Sequence, residues 1–263
     1  MKWKERLSVL RILTCYKWVI DQADIKTAPG SKELDLERVA YRISEYDRYA
    51  IEESTLLIEK YGGSAAAITV GAPSARKSLK DVLSRGPEKA YFVSDPAYEN
   101  LEPSQTAAIL AAAIHARAEY DLIICGEGSG DLYAQQVGPR LAELLNIPCV
   151  TYVNKLTIDG DHLIAERKME EGIEVLSLPL PALVSVLPDI NTPRIPGLKD
   201  TLAAGKKPVE EITAADIGQE FVPCLHTRSI LAASMARNGV KFGADPGEIG
   251  KFVDSVLKTG LLG

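Results

Sequence analysis

The chain has 263 residues, 46% of them hydrophobic, enough to fill the core of one large domain or two small ones. Thirty basic against thirty-six acidic side chains leave a net charge of −6, with a pI near 5.3, which argues against a nucleic-acid binder. No run reaches the ~18 to 20 apolar residues that a membrane span needs.

The four cysteines, Cys15, Cys125, Cys149 and Cys224, are far apart and form no C-x-x-C pair, as in a reduced cytoplasmic protein. Residues 7–13 are interrupted by Arg11 and followed by no cleavage site, so no signal peptide is expected. His115, His162 and His226 are isolated, which gives a metal site or a histidine-centred triad little support.

In chain order, residues 9–15 predict a strand and residues 44–61 a helix, opened by Ser44 with Asp47 three residues on in a capping-box pattern. Strands are expected over 66–70, 91–94 and 122–125, and helices over 74–84 and the alanine-rich 104–119. This alternation implies an α/β fold with a doubly wound, mostly parallel, Rossmann-like sheet and right-handed crossovers. Cys15 and Cys125 then fall at C-terminal strand ends, where such a sheet places its ligand, although small apolar residues also suit that place structurally.

After Pro148 the rhythm changes. Residues 149–158, 162–168 and 173–178, separated by Asp159-Gly160 and Glu171-Gly172, read as an antiparallel β-meander, because Asp-Gly between alternating runs signals a hairpin. Residues 188–207, punctuated by Pro188, Pro193 and Pro196, predict an exposed, partly rigid loop with a short helix. The pattern lapses from Phe221 until Asp245-Pro246-Gly247-Glu248 opens a last helix with Ile249, Phe252, Val253, Val256 and Leu257 as an apolar stripe. The expected organisation is an α/β domain over 1–220 and a C-terminal arm over 221–263, which docks either on its own domain or on another subunit.

Residues 121–154 carry the strongest chemical signal. An apolar strand runs into Gly126, Gly128 and Gly130, where the backbone can turn sharply and approach a ligand. A helix follows, starting near Gln135 or Gln136, with Val137, Leu141, Leu144 and Leu145 on one face and Pro139 tolerable in its first turn. Its N–H groups and dipole favour an anion at the turn. The dinucleotide fingerprint fails, since Asp131 stands where its third glycine belongs, and the phosphate loop lacks its lysine. A carboxylate cannot donate to phosphate, so Asp131 is assigned to a sugar hydroxyl, a backbone N–H or a flavin-type ring N–H.

The run from Gly126 to Gly138, with Asp131, Gln136 and Gly138 at matching spacing, resembles the signature of the electron transfer flavoprotein beta (small) subunit, FixA-type branch. Cys15-Tyr16-Lys17-Trp18-Val19-Ile20-Asp21 is similar to that family's K-x-V-x-D opening, and Ser44-Glu45-Tyr46-Asp47-Arg48-Tyr49-Ala50 to its N-P-Y-D-x-x-A helix start. Residues 80–87 and 179–184 match too, so the similarity extends over roughly residues 10–217, while Ser44-Glu45 replaces Asn-Pro, the last forty residues match poorly and the first eight look like an extension.

The resemblance implies an adenine-nucleotide site built from Cys15, Tyr16, Lys17, Ser44, Tyr46, Asp47, Val70 and Gly71. Its other wall is Gly126, Gly128, Ser129, Gly130, Asp131, Tyr133, Ala134, Gln135, Gln136, Val137, Gly138, Pro139 and Arg140. The branch is electron-bifurcating, which implies FAD there with NADH as electron donor; the alternative is a structural AMP. Implied partners are an alpha subunit carrying its own FAD, ferredoxin or flavodoxin, and an acyl-CoA dehydrogenase or enoyl-CoA reductase. The last would dock on a loop containing Arg194, Ile195 and Leu198, with Leu198 as anchor. Arg76, Lys77, Lys80 and Arg85, predicted on one helix, could steer an acidic carrier. Two other readings are a stand-alone ATP- or AMP-binding sensor of the universal-stress type and a nicotinamide dehydrogenase; the meander, loop and tail disfavour the first and the failed fingerprint the second.

Overall fold

The computed structural model describes residues 9–28, 30–218, 221–222, 225–232 and 239–260; Cys224 and the expected extension over 1–8 lie outside them. The described residues fall into two compact units, one within residues 1–26 and 35–229 and the other within residues 27–34 and 230–263.

In the first unit the expected alternation forms. Strand β1 (Arg11–Cys15) is followed by the short strands β2 (Trp18–Ile20) and β5 (Tyr41–Ile43), which pair as an antiparallel ribbon; the two-residue strands β3 (Lys26–Thr27) and β4 (Leu34–Asp35) between them fall at the division of the units, Thr27 and Leu34 belonging to the second. Then come α1 (Glu45–Tyr61), β6 (Ser64–Gly71), α2 (Ser78–Ser84), β7 (Lys89–Ser94), α3 (Pro103–Arg117), β8 (Leu122–Gly126) and α4 (Val137–Leu145). The meander is present as β9 (Cys149–Asp159), β10 (His162–Met169) and β11 (Gly172–Pro179), antiparallel throughout, with Gly160 at φ 61° in the first turn. β12 (Ala182–Val186), α5 (Leu198–Ala204), β13 (Val209–Thr213) and α6 (Ala214–Ile217) complete the unit.

These strands make one nine-stranded sheet in the order β11-β10-β9-β12-β8-β1-β6-β7-β13, parallel from β9 to β13. Successive residues of each strand face opposite sides of the sheet. Leu13 of β1 and Ile123 of β8 pack with α3 and α4 on one face, while Ile12 and Ile124 pack with Ala50 and Leu57 of α1 on the other. Farther along that second face, α1 and α2 cover Ala67, Ala90 and Phe92.

Three expectations change. The helix over 74–84 divides into a 3-10 turn, Pro73–Lys77, and α2; the Ser78 hydroxyl donates to the Ala75 carbonyl at 2.7 Å at the junction. Arg76, Lys77, Lys80 and Arg85 therefore do not share one helix, and Arg76 and Arg85 are already paired with Glu211 and Asp81. The capping box at Ser44 does not form, for a reason given below. Strands β12 and β13 also carry no expectation from sequence. β12 is buried at all five residues between β8 and β9, so it has no alternation to read, and prolines at 179 and 181 mask it as a loop.

In the second unit, Glu33 and Leu231 form a β-bridge and α7 (Pro246–Lys258) is capped by Asp245, whose side chain accepts the Glu248 N–H at 3.0 Å. Ile249, Phe252, Val253 and Leu257 are all exposed along it, and Phe252 meets Phe242 edge-on at 5.5 Å between centroids.

Candidate functional site

The chain goes from β1 to β6 and β7 on one side, then returns to place β8 on the other side of β1. Ligands of open parallel sheets bind outside the carboxyl ends of strands at such a reversal. Here those ends are Cys15, running on into Tyr16 and Lys17, and Gly126, running on into the loop over 127–136.

Asp47 joins the two. It lies in the first turn of α1, is buried, and accepts the Lys17 backbone N–H at 2.7 Å and the backbone N–H of Gly126. Burial pushes its carboxyl up to about 7, against the opposing pull of those two N–H groups and of Lys17. Gly126 has no room for a side chain. A Cβ there would lie 2.6 Å from Asp47 Oδ1 and 2.8 Å from the Tyr46 carbonyl carbon. Ser44, fully buried, accepts the Gly130 N–H on its hydroxyl at 3.2 Å. Both members of the expected capping box thus serve as cross-links from α1 to the glycine loop, which is why neither caps the helix.

The loop is closed from outside as well. Lys17 Nζ is 2.6 Å from Asp131 Oδ2, and Gln22 donates its side-chain amide to the Gly130 carbonyl. Burial alone would raise the Asp131 carboxyl; Lys17 reverses this and holds it below its ordinary range. Tyr133 (φ 47°) and Gln135 (φ 55°) take left-handed backbone conformations that turn the chain back into α4. The Tyr133 ring packs on Gly128, where a Cβ would come within 2.7 Å of it, and tilts against Tyr46 at 5.0 Å between centroids. Burial and neighbouring Glu127 raise the Tyr133 hydroxyl to about 12, so it remains a donor at neutral pH.

Helix α4 begins at Val137, and the side chain of Gln136 at its N-cap position makes no capping hydrogen bond; the Gln136 Oε1 instead accepts Arg140 Nε at 3.1 Å. Its first-turn N–H donors therefore have no capping side chain and face the loop, the arrangement an anion exploits. Pro139 adds no donor there. Gly138 lets α4 lie close on the sheet, its Cβ position 3.5 Å from Leu183 Cδ2 and 3.9 Å from Cys125 Cβ. Ser129 gives its carbonyl to the Tyr133 N–H at 2.9 Å, and Ala134 is half-buried in the same loop.

Several expected contributors do not present side chains to the cleft. Tyr16 is buried with its hydroxyl 2.9 Å from Ser78 Oγ, toward α2. Cys15 and Cys125 are buried neighbours in the α3/α4 core, and their mutual hydrogen bond and burial push the Cys125 thiol well up, away from thiolate chemistry. Val70 packs into the same core, and a Cβ on Gly71 would sit 3.2 Å from Ala75 Cβ. Conversely, Gln22 and Glu127 belong to the site although no sequence pattern distinguishes them from other polar loop residues.

At the far end of α1, Arg194 is held by a fork onto Glu52, with Nε at 2.9 Å from Oε2 and Nη2 at 2.9 Å from Oε1, and by Glu59 at 2.8 Å. Asn191 donates to Tyr49 O and to Glu53, each at 3.0 Å. The loop so fixed projects Ile195 and Leu198 into solvent at 93% and 78% exposure.

Among the described residues no helix is long and apolar enough to cross a membrane, and no group of three or more His, Cys, Asp or Glu could hold a metal ion. Residues 33–217 match the family model described as the electron transfer flavoprotein domain.

Proposed function

This chain belongs to the electron transfer flavoprotein family, and we propose that it is the beta subunit of the electron-bifurcating, FixA-type branch. The observation that carries this reading is the Asp47 cross-link. It brings the three segments that resemble the beta-subunit signature, around Lys17, Ser44 to Asp47, and Gly126 to Gly138, to one cleft at the reversal of strand order.

The cleft suits an adenine nucleotide with a phosphate chain. The uncapped start of α4 offers donors, while Lys17 offsets the charge of Asp131. Bound there as FAD, the group would supply hydride acceptance from NADH and one-electron transfer onward. The chain's own residues would set position: Asp47 and Ser44 hold the loop, Asp131 and Lys17 its rim, and Tyr133 its cover. One electron would pass to the alpha-subunit FAD and the other to ferredoxin or flavodoxin, in a cytoplasmic heterodimer.

The partner reduced through the alpha subunit would be an acyl-CoA dehydrogenase or enoyl-CoA reductase, docked on Ile195 and Leu198. Arg194 is spent within the chain, so its part would be to preorganise that loop rather than to touch the partner. The arm over 221–263, with the apolar stripe of α7 exposed, would lie on the alpha subunit.

Co-purification of the native complex with cofactor extraction tests this. Two flavins per alpha-beta pair are expected. One flavin with one AMP would leave a non-bifurcating beta subunit, and a colourless chain that binds nucleotide without a partner would overturn the assignment.

A further inference from the structure

We propose that Tyr133 and Tyr152 form an aromatic seat at the mouth of the cofactor cleft for a planar cationic ring, the pyridinium of an oxidised nicotinamide nucleotide. The choice of ring rests on the reading of the cleft as a flavin site that takes hydride from NADH. Five residues other than glycine have left-handed backbone among the described residues: Asn100, Tyr133, Gln135, Asn146 and Tyr152. Asparagine tolerates that conformation, whereas for tyrosine and glutamine it is strained. The three strained residues lie together.

Tyr152 owes its place to a β-bulge. β12 pairs with β9 at Val184 with Val150 and next at Val186 with Val153, so β9 spends three residues where β12 spends two. A left-handed bulge position ordinarily takes glycine; here it holds Tyr152, at φ 60°. The bulge stands level with the carboxyl end of β8, because Val186 also pairs with Gly126. The Tyr152 hydroxyl donates to Gln135 Oε1 at 3.4 Å, and Gln135 Nε2 donates to the Tyr133 hydroxyl at 3.4 Å. Gln135 thus ties the two phenols into one group, which Tyr46 extends at 5.0 Å from the Tyr133 ring.

This strain gains little burial, since Tyr133 and Tyr152 stay 45% and 38% exposed. Strained backbone that holds aromatic faces open at the mouth of a cleft is the mark of a binding surface. Exposed phenol faces stack on a planar ring and attract a positive one. Glu127, whose carboxylate acts on Tyr133, adds the same preference, and the ammonium of Lys17 is already paired with Asp131. Of the rings such a cleft would meet, adenine and oxidised isoalloxazine are neutral. Only the oxidised nicotinamide is a cation.

The test is calorimetric titration of the native complex, as isolated and fully oxidised, with NAD+ and separately with ADP-ribose, which lacks the nicotinamide. Wild type should bind NAD+ more tightly than ADP-ribose. Tyr152→Gly removes the ring yet suits the left-handed backbone, so its unfolding midpoint should equal or exceed that of wild type. Its NAD+ affinity should fall by roughly tenfold while its ADP-ribose affinity holds. Tyr152→Phe keeps the aromatic face and should retain most of the NAD+ affinity. Equal NAD+ affinity in wild type and folded Tyr152→Gly would overturn the seat, as would a wild type that does not distinguish the two ligands. Should Tyr152→Gly fail to fold, Tyr152→Leu, which has bulk but no aromatic face, decides by the same two affinities. Cofactor content judges the underlying reading separately. One flavin with one AMP and an intact NAD+ preference would keep the seat and remove the bifurcating assignment, whereas two flavins without that preference would do the reverse.

Discussion

Asp47 accepts the backbone N–H of Lys17 across 30 positions of sequence at 2.7 Å, and with the same carboxylate holds Gly126. The carboxyl ends of β1 and β8 and the start of α1 are therefore one unit rather than three adjacent pieces, and disturbing one should be felt at the others.

Replacing Asp47 by Asn isolates its titration. Its folded pKa, about 7, stands above the unfolded value of 3.8, so the folded state binds the extra proton between those pH values. The contribution of Asp47 to stability is full below 3.8 and is lost as pH rises through about 7. Chemical denaturation at pH 4 and pH 8 should thus show wild type losing ground to Asp47→Asn on going up in pH; a pH-independent difference would contradict the assignment.

Gly126→Ala forces a methyl group to within 2.6 Å of Asp47 Oδ1 and against the backbone of Tyr46. Overpacking of this kind costs about 1–3 kcal/mol. Urea denaturation should register that loss together with reduced retention of nucleotide. Wild-type values of both would mean that the strand end and helix separate freely.

Lys17 and Asp131 are about one-third exposed as side chains, at 35% and 34%, so their ion pair should contribute roughly 0–1 kcal/mol. A double-mutant cycle with Lys17→Ala and Asp131→Asn is expected to give a small coupling in stability. In cofactor retention the same cycle should give a much larger one. Equal couplings would assign the pair a merely structural role.

Arg194→Ala leaves Glu52, whose side chain is only 6% exposed, without its cation. Removing one partner of a buried pair costs about 3–5 kcal/mol, and the partial exposure of Arg194 reduces the expected loss to about 2 kcal/mol. Limited proteolysis should find the loop over 188–197 opened in this variant. Protection equal to wild type would show that the clamp is dispensable.

Leu198→Ala should leave the melting temperature within error, since the side chain is 78% exposed. Electron transfer to the proposed partner, an acyl-CoA dehydrogenase or enoyl-CoA reductase, should fall at least tenfold if Leu198 is a binding anchor, in keeping with the ~2 kcal/mol scale of such residues. Unimpaired transfer would move the docking surface elsewhere.

Much of this architecture is legible from periodicity alone. The run of apolar residues in β8 and the Asp-Gly turn of the meander each express a local rule and lie where that rule places them, whereas the expected stripe of α4 is shifted: Leu141 and Leu145 are buried with Gly138 and Ala142, and Leu144 is 50% exposed. Ser44 and Asp47 mark the limit of such reasoning. Their spacing matches a helix cap, yet the glycine loop offers better-placed N–H donors, and these competing partners lie 86 positions away for Ser44. β12 escaped because a strand buried on both faces does not alternate.

The amino-acid sequence by itself determined the α/β alternation, the glycine turn before α4, the meander and the exposed proline-rich loop, because each depends on the preferences of residues within a few positions of one another. Only the tertiary structure decided that Asp47 and Ser44 tie helix to loop, that Tyr16 turns away toward Ser78, and that Arg194 is consumed by Glu52 at a separation of 142 residues. Those outcomes are choices among hydrogen-bond partners, settled by which donors and acceptors the folded sheet brings within hydrogen-bond reach, and no local pattern carries that information.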